Sequence, residues 1–340
     1  MVSERSLDVL RVIVQDYVAS REPVGSKSIV ERHSFGVSAA TIRNDMALLE
    51  EEELITAPHT SSGRVPTDKG YRVFVDHLAD LRPLNAAQRH AIEGFLGASI
   101  DLDDVLARTV RLLSQLTHQV ALVQYPSLSL SRVRHVELVP LSETRVMSVF
   151  ITDSGRVEQR LLDVASPLDE TVLADVRARL NTALGGQGLA EAAERLVSFS
   201  DQFPLEQQPL VRQVASSLLE QVAANRQDKL VMAGTANLVR TEEDFTGSIF
   251  PVLEAIEEQV TLLRLFGEMA ADQNGVSVSI GRENAEFGLG EISVLTSGYA
   301  SSGGSLARLG VLGPLRMDYS NNMAAVRAVA RYLTRLLGED

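Results

Sequence analysis

Ser38, Thr41, Arg43 and Asn44 lie within one seven-residue stretch, and their side chains are the types that read duplex DNA. An arginine fork can donate two bonds to guanine N7 and O6, a carboxamide can pair with adenine N6 and N7, and a hydroxyl can bind phosphate or meet a thymine methyl. If these residues occupy the first turns of a helix, they face the major groove, and the helix N-terminus favours a phosphate. A second group, Ser61-Ser62-Gly63-Arg64, sets small hydroxyls and a flexible turn beside one cation, a form suited to following the backbone or entering the minor groove. Lys27, Lys69 and Arg72 add cations on either side. The candidate DNA-contacting residues are therefore Lys27, Ser38, Thr41, Arg43, Asn44, Ser61, Ser62, Arg64, Lys69 and Arg72. His59 reads as a local hydrogen-bonding residue more readily than as a ligand.

The spacing around these residues supplies a frame for them. Leu7, Leu10, Val14, Tyr17 and Val18 recur at helical intervals with Ser3 as a cap, and Pro23 and Gly25 end that helix. A second helix is predicted from about Ser26 to His33. Ser38 caps a third that runs to about Glu52, with Ile42, Met46 and Leu49 facing the core and Thr41, Arg43, Asn44 and Asp45 pointing elsewhere. Leu54 to Ala57 and Arg64-Val65 read as two short strands about the turn-forming segment Pro58 to Gly63. Three helices followed by a small hairpin is the winged helix arrangement. The four acids Glu50 to Glu53 would be repelled by phosphates, so this end of the third helix has to leave the groove.

Further along, helices are predicted at 71–82 and 102–117, an apolar strand at 120–124, three strands across 133–163, and a helical stretch at 168–226. Strands follow near 230–232, 276–280, 291–295 and 309–312, with a last helix at 322–337. The pair Arg316 and Asp318 suggests a structural ion pair or turn before a ligand site.

A chain of 340 residues exceeds one small core, and 45% hydrophobic with 23% charged residues is a globular composition. The net charge of −13 argues against nucleic acid at first sight, and the first 82 residues carry ten lysines and arginines against thirteen acids. DNA binding has to rest on the local placement of charge. No segment has the roughly 20 apolar residues of a membrane span, and the amino terminus lacks the apolar run of a signal peptide. The expected location is the cytoplasm, with no membrane contact. There is no cysteine, and all six histidines precede residue 136, which leaves 205 residues without a histidine base or soft metal ligand. With no phosphate-binding loop and no HExxH pattern, an enzyme is not expected, nor is a cofactor or metal.

Pro23-Val24-Gly25-Ser26, Ala40-Thr41-Ile42-Arg43-Asn44-Asp45-Met46, Pro58-His59-Thr60-Ser61-Ser62-Gly63-Arg64-Val65-Pro66-Thr67 and Gly70-Tyr71-Arg72 resemble the heat-inducible transcription repressor family, HrcA. So do Gly281-Arg282-Glu283-Asn284 and Gly310-Val311-Leu312-Gly313-Pro314-Leu315-Arg316-Met317-Asp318-Tyr319, at the other end of the chain. The resemblance implies an α+β multidomain protein. Its parts would be an N-terminal winged helix-turn-helix (1–82) and a GAF-like α/β domain in two pieces (83–127 and 228–340). These would be interrupted by an inserted dimerising domain with a small antiparallel sheet and helices (128–227). It further implies a homodimer on an inverted-repeat operator, CIRCE, upstream of chaperone operons, with repression supported by the GroEL chaperonin. Glu53 departs from the family, which usually has a glycine there to end the third helix. Because GAF-like domains elsewhere bind small molecules, a metabolite-sensing repressor is the rival expectation.

Overall fold

The computed structural model describes residues 2–338 apart from 60–61, 79–84, 98, 100, 127–130, 154, 165–166, 226–228, 246, 270–274 and 301–305. The chain opens with α1 (Glu4–Ser20), whose first turn is capped by the Ser3 hydroxyl, followed by α2 (Ser26–Arg32) and α3 (Ala39–Glu51). A two-residue ladder joins β1 (Ile55–Thr56) to β2 (Val65–Pro66) in antiparallel register. Next comes α4 (Asp68–Val73), capped by Thr67 and continued by one wider helical turn over Phe74–Leu78. This helix starts three residues earlier than the expected 71–82, because the Thr67 hydroxyl takes the Gly70 N–H; residues 79–82 of that expectation lie outside the described residues.

Two helices, α5 (Ala86–Leu96) and α6 (Leu102–Thr117), lead into β3 (Val120–Gln124). Then β4 (Val133–Ser142), β5 (Arg145–Thr152) and β6 (Val157–Asp163) form a meander, followed by α7 (Glu170–Leu184), α8 (Leu189–Val197) and α9 (Gln208–Asn225). The remainder comprises β7 (Leu230–Ala233), α10 (Thr235–Arg240), α11 (Phe250–Glu258), α12 (Val260–Glu268) and β8 (Ser277–Ile280). It ends with β9 (Ile292–Ala300), β10 (Leu306–Pro314) and α13 (Tyr319–Gly338).

The central sheet has the order β7-β3-β10-β9-β8 with every pairing antiparallel, so it draws one strand from before the meander and four from after it. Both faces are covered, which explains the continuous apolar run of β3. Val120 and Leu122 face Leu238, Val252, Leu262 and Phe266 of α10, α11 and α12, while Ala121 and Val123 face a larger core. That larger core includes Leu106, Val110 and Leu113 of α6 and Val326, Val329 and Leu333 of α13. It continues without a break into Leu10, Ile13, Ile29, Ile42 and Leu49 of the first three helices.

The meander has a core of its own. Val136, Leu138, Val146 and Phe150 pack on Leu173, Val176, Leu180, Val214 and Leu218 of α7 and α9. The Asn181 carboxamide both accepts from the Val136 N–H (2.9 Å) and donates to its carbonyl (2.7 Å), which closes the edge of β4. Among the described residues nothing covers the opposite face of this sheet: Met147, Val149 and Ile151 are half-buried there, while Val157 and Leu161 are exposed. Among the described residues no helix is long and apolar enough to cross a membrane, and no group of three or more His, Asp or Glu side chains is placed to hold a metal ion.

Because the meander core closes on itself, truncation inside it acts locally. Phe150→Ala should cost about 3–5 kcal/mol. Scanning calorimetry is expected to show two transitions in the wild type, with only one of them lowered by this substitution; a single transition lowered as a whole would contradict separate cores.

Candidate nucleic-acid interface

The third helix has one anchored side and one open side. Ser38 caps it by accepting the Thr41 N–H at 3.3 Å, and the two hydroxyls lie 3.1 Å apart. Ile42, Met46 and Leu49 are buried. Asp45 is buried too, contrary to the expectation that it points away from the core. Arg5 donates to both of its oxygens (2.7 and 3.2 Å) and Ser6 to one (3.0 Å). The helical series of positions 42, 45, 46 and 49 places Asp45 on the inward face, and this was the available signal. The hydrogen bond from Arg5 pulls the Asp45 carboxyl below the usual aspartate range, against the opposing effect of burial.

Arg43 and Asn44, in contrast, are exposed. Among the described residues neither side chain has a partner, and of the lysines and arginines in residues 2–78 Arg43 alone lacks one. Lys27 lies 3.9 Å from Glu31, and both are well exposed. Arg5, Arg11, Arg21, Arg32, Arg64 and Arg72 all face carboxylates. Lys69 donates to the Glu52 carbonyl at 2.8 Å.

That last bond helps to stop the helix. The Leu54 N–H reaches back to the Leu49 carbonyl (2.9 Å) and the Glu53 N–H to that of Glu50 (3.0 Å), with Glu53 left-handed at φ 59° and Leu49 and Leu54 buried together. This is a Schellman closure, which is normally made on glycine. The Thr67 hydroxyl adds a 2.6 Å bond to the Glu53 carbonyl. The helix therefore ends sharply even though Glu53 replaces the glycine expected there.

The ladder is held by its own short bonds. Val24 and Arg64 exchange two backbone hydrogen bonds of 2.9 Å, and a Cβ at Gly63 would stand 2.5 Å from the Pro23 carbonyl oxygen, so only glycine allows this approach. Ser62 donates to the His59 carbonyl (2.7 Å) and accepts its N–H (3.0 Å), so the turn is tied locally by His59 itself. Ser61 lies outside the described residues. The Arg64 guanidinium sits on Glu50, with Nε and Nη2 both 2.9 Å from one carboxylate oxygen.

Arg72 stands apart from the exposed face. It binds Glu283 through two nitrogens, donates to the Val278 carbonyl at 2.7 Å and pairs with Asp76 at 3.2 Å. Beside it Asp68 accepts the Arg282 N–H at 3.0 Å, and Gly281, at φ 53°, has its missing Cβ only 2.3 Å from that carboxylate. A second clamp joins α1 to the body: Arg316 holds Asp244 with two bonds (2.6 and 2.7 Å) and donates to the Val18 carbonyl (2.6 Å), while Arg21 approaches Asp244 at 3.3 Å. Arg316 thus pairs with Asp244 and not with Asp318, which instead caps α13 at the Asn321 N–H. Between the clamps the rings of Tyr71 and Tyr319 lie 5.5 Å apart.

An exposed polar helix face mounted rigidly on a larger α/β body is the outline of a transcription regulator. Residues 103–323 match the family model described as "HrcA protein C terminal domain". The chain is 75% identical over 339 residues to the heat-inducible transcription repressor HrcA of Clavibacter michiganensis subsp. michiganensis, and 70% identical over 339 residues to that of Leifsonia xyli subsp. xyli. Each alignment covers 100% of both proteins. A solved crystal structure described only as a hypothetical protein superposes with a TM-score of 0.73 over 99% of each chain at 26% identity. The chain belongs to the HrcA family of heat-inducible transcription repressors.

Two outcomes are expected from the anchored side. Glu53→Gly should stabilise the N-terminal unit by about 0.5–1 kcal/mol, because the left-handed backbone disfavours a side chain; a raised urea midpoint would show it. Asp45, with its lowered folded value, stabilises the fold fully above the ordinary aspartate range and loses that contribution as pH falls from there through the lowered value. Asp45→Asn should therefore flatten the acid limb of a melting-temperature profile below about pH 4. An acid limb as steep as the wild type's would exclude this role.

Proposed function

We propose that the protein is a sequence-specific DNA-binding repressor of heat-shock chaperone operons of the groE and dnaK type. It binds an inverted-repeat CIRCE operator as a homodimer in the cytoplasm, and its activity is supported by the GroEL chaperonin. One observation carries the DNA reading: Arg43 and Asn44 are exposed and unpartnered, among the described residues, on the amino-terminal half of a helix whose opposite side is fixed by Arg5, Asp45 and the apolar stripe. Three helices and a ladder in that order support a winged helix-turn-helix in residues 1–82. The two-part central sheet supports a GAF-like domain formed from 83–127 and 228–340, and the self-contained meander supports an inserted domain at 128–227.

In this reading Arg43 and Asn44 meet base edges, and Lys27, Ser38 and Thr41 meet phosphates, with Ser61, Ser62 and Arg64 following the backbone from the ladder. Lys69 and Arg72 act at one remove, by fixing the end of the helix and the orientation of the unit. The uncovered apolar face around Val149, Val157 and Leu161 is where a second copy would pack, as a two-fold operator requires. A metabolite-sensing role has one observation in its favour, an open cleft of about 230 Å³ bordered by Leu265, Met269, Ser277, Glu283 and Phe287. Release of operator DNA by a co-purified small molecule would identify it.

Footprinting on the DNA upstream of the protein's own operon and of chaperone genes should reveal a protected site with two-fold symmetry, and added chaperonin should increase its occupancy. Arg43→Ala should weaken binding to that site by about 1–3 kcal/mol and relax the preference at one base pair. Equal affinity of the wild type for this site and a scrambled duplex would defeat the assignment.

A further inference from the structure

Glu50 lies on the last turn of α3, one turn beyond Met46, and its carboxylate occupies the guanidinium that the ladder offers. Arg64 is fixed at its backbone by the paired bonds to Val24 and by the close approach of Gly63 to Pro23, so only its side chain is free to redirect. That side chain has two nitrogens on one Glu50 oxygen and a third, Nη1, on the Ser62 carbonyl at 3.2 Å. A carboxylate that accepts from Nε and Nη2 takes the place that a phosphate oxygen would take, because both anions meet the same guanidinium edge. The pair is only half-buried, with the side chains 27% and 38% exposed, so the exchange of one anion for the other needs no opening of the core.

We propose, resting on the DNA-binding reading above, that Glu50 is a specificity-determining residue. It holds Arg64 away from phosphates until α3 is seated in a matching groove, and a phosphate then displaces it. On unmatched DNA the helix does not seat, no phosphate comes close enough to displace Glu50, and Arg64 remains with it, although an Arg64 side chain released from Glu50 could extend to one. Sequence-independent affinity is thereby suppressed more than operator affinity. An acidic chain gains discrimination in this way from a carboxylate that would otherwise simply oppose DNA.

The test is a two-by-two set of full-length proteins, wild type, Glu50→Gln, Arg64→Ala and the double variant. Each is titrated by fluorescence anisotropy against a duplex carrying the footprinted site and a scrambled duplex of equal composition, over a range of salt. Glu50→Gln is expected to tighten scrambled binding roughly three- to tenfold, to tighten operator binding less, and to steepen the scrambled salt dependence by about one unit, the signature of one new phosphate contact. In the Arg64→Ala background the same substitution should change both affinities equally and slightly. An equal gain with and without Arg64 would reduce Glu50 to a general repulsive charge and overturn the proposal, as would an unchanged ratio of operator to scrambled affinity. A wild type that does not prefer the operator would remove the functional reading itself, and a wild type that does prefer it, with no effect of Glu50, would remove only this inference.

Discussion

The position of the exposed helix depends on how the first three helices are seated on the rest of the chain. Their apolar residues share one core with α6, α13 and a face of the central sheet, and Tyr71 packs beside Tyr319 where α13 begins. Two polar clamps, Arg72 with Glu283 and Arg316 with Asp244, flank this contact. Burial of apolar area gives the contact its strength without direction, whereas ion pairs with two or three bonds each define an angle. The paired charges of the 281–284 segment are the receptor for α4.

Pairing of charges within the protein bears on the charge paradox of the sequence. A segment with more acids than bases is a poor partner for DNA if all its charges act at long range. Of the carboxylates in residues 2–78, Asp8, Asp16, Glu31, Asp45, Glu50 and Asp76 face cations within the protein, and two of these, Asp45 with Arg5 and Glu50 with Arg64, lie on α3. On the amino-terminal half of the open side of α3 this leaves Arg43 beside the neutral Asn44, with the exposed Glu51 two turns further along. The local field of that face is set by this remainder and not by the total.

Much of the frame was legible because its signals are local. Ser3 and Ser38 announce helix starts three residues before the N–H groups they cap, and the apolar run of β3 announces a strand buried on both faces. Strands β9 and β10 run longer than their apolar centres, since Gly298 and Gly313 interrupt the pattern without interrupting the pairing. Helices α10 to α12 escaped notice, being short and lying in a tail of mixed composition. The site was legible by residue type and not by partner. The engagement of Arg72 depends on residues more than 200 positions away, and Asp45 finds its cation 40 positions upstream.

The layout of the main core has a kinetic side. Residues of α1 share that core with Leu333 of α13, and β3 waits through the whole meander for β10. Contacts between such distant parts of the chain must overcome a large loop entropy before they reward it, which slows folding and leaves apolar surface open meanwhile. During synthesis the helix that carries Arg43 and Asn44 emerges early, yet the clamp partners that fix its angle, Asp244, Glu283 and Arg316, follow only in the last third of the chain. A chain halted before residue 244 would hold the helix that carries Arg43 and Asn44 with neither clamp partner yet made to set its angle.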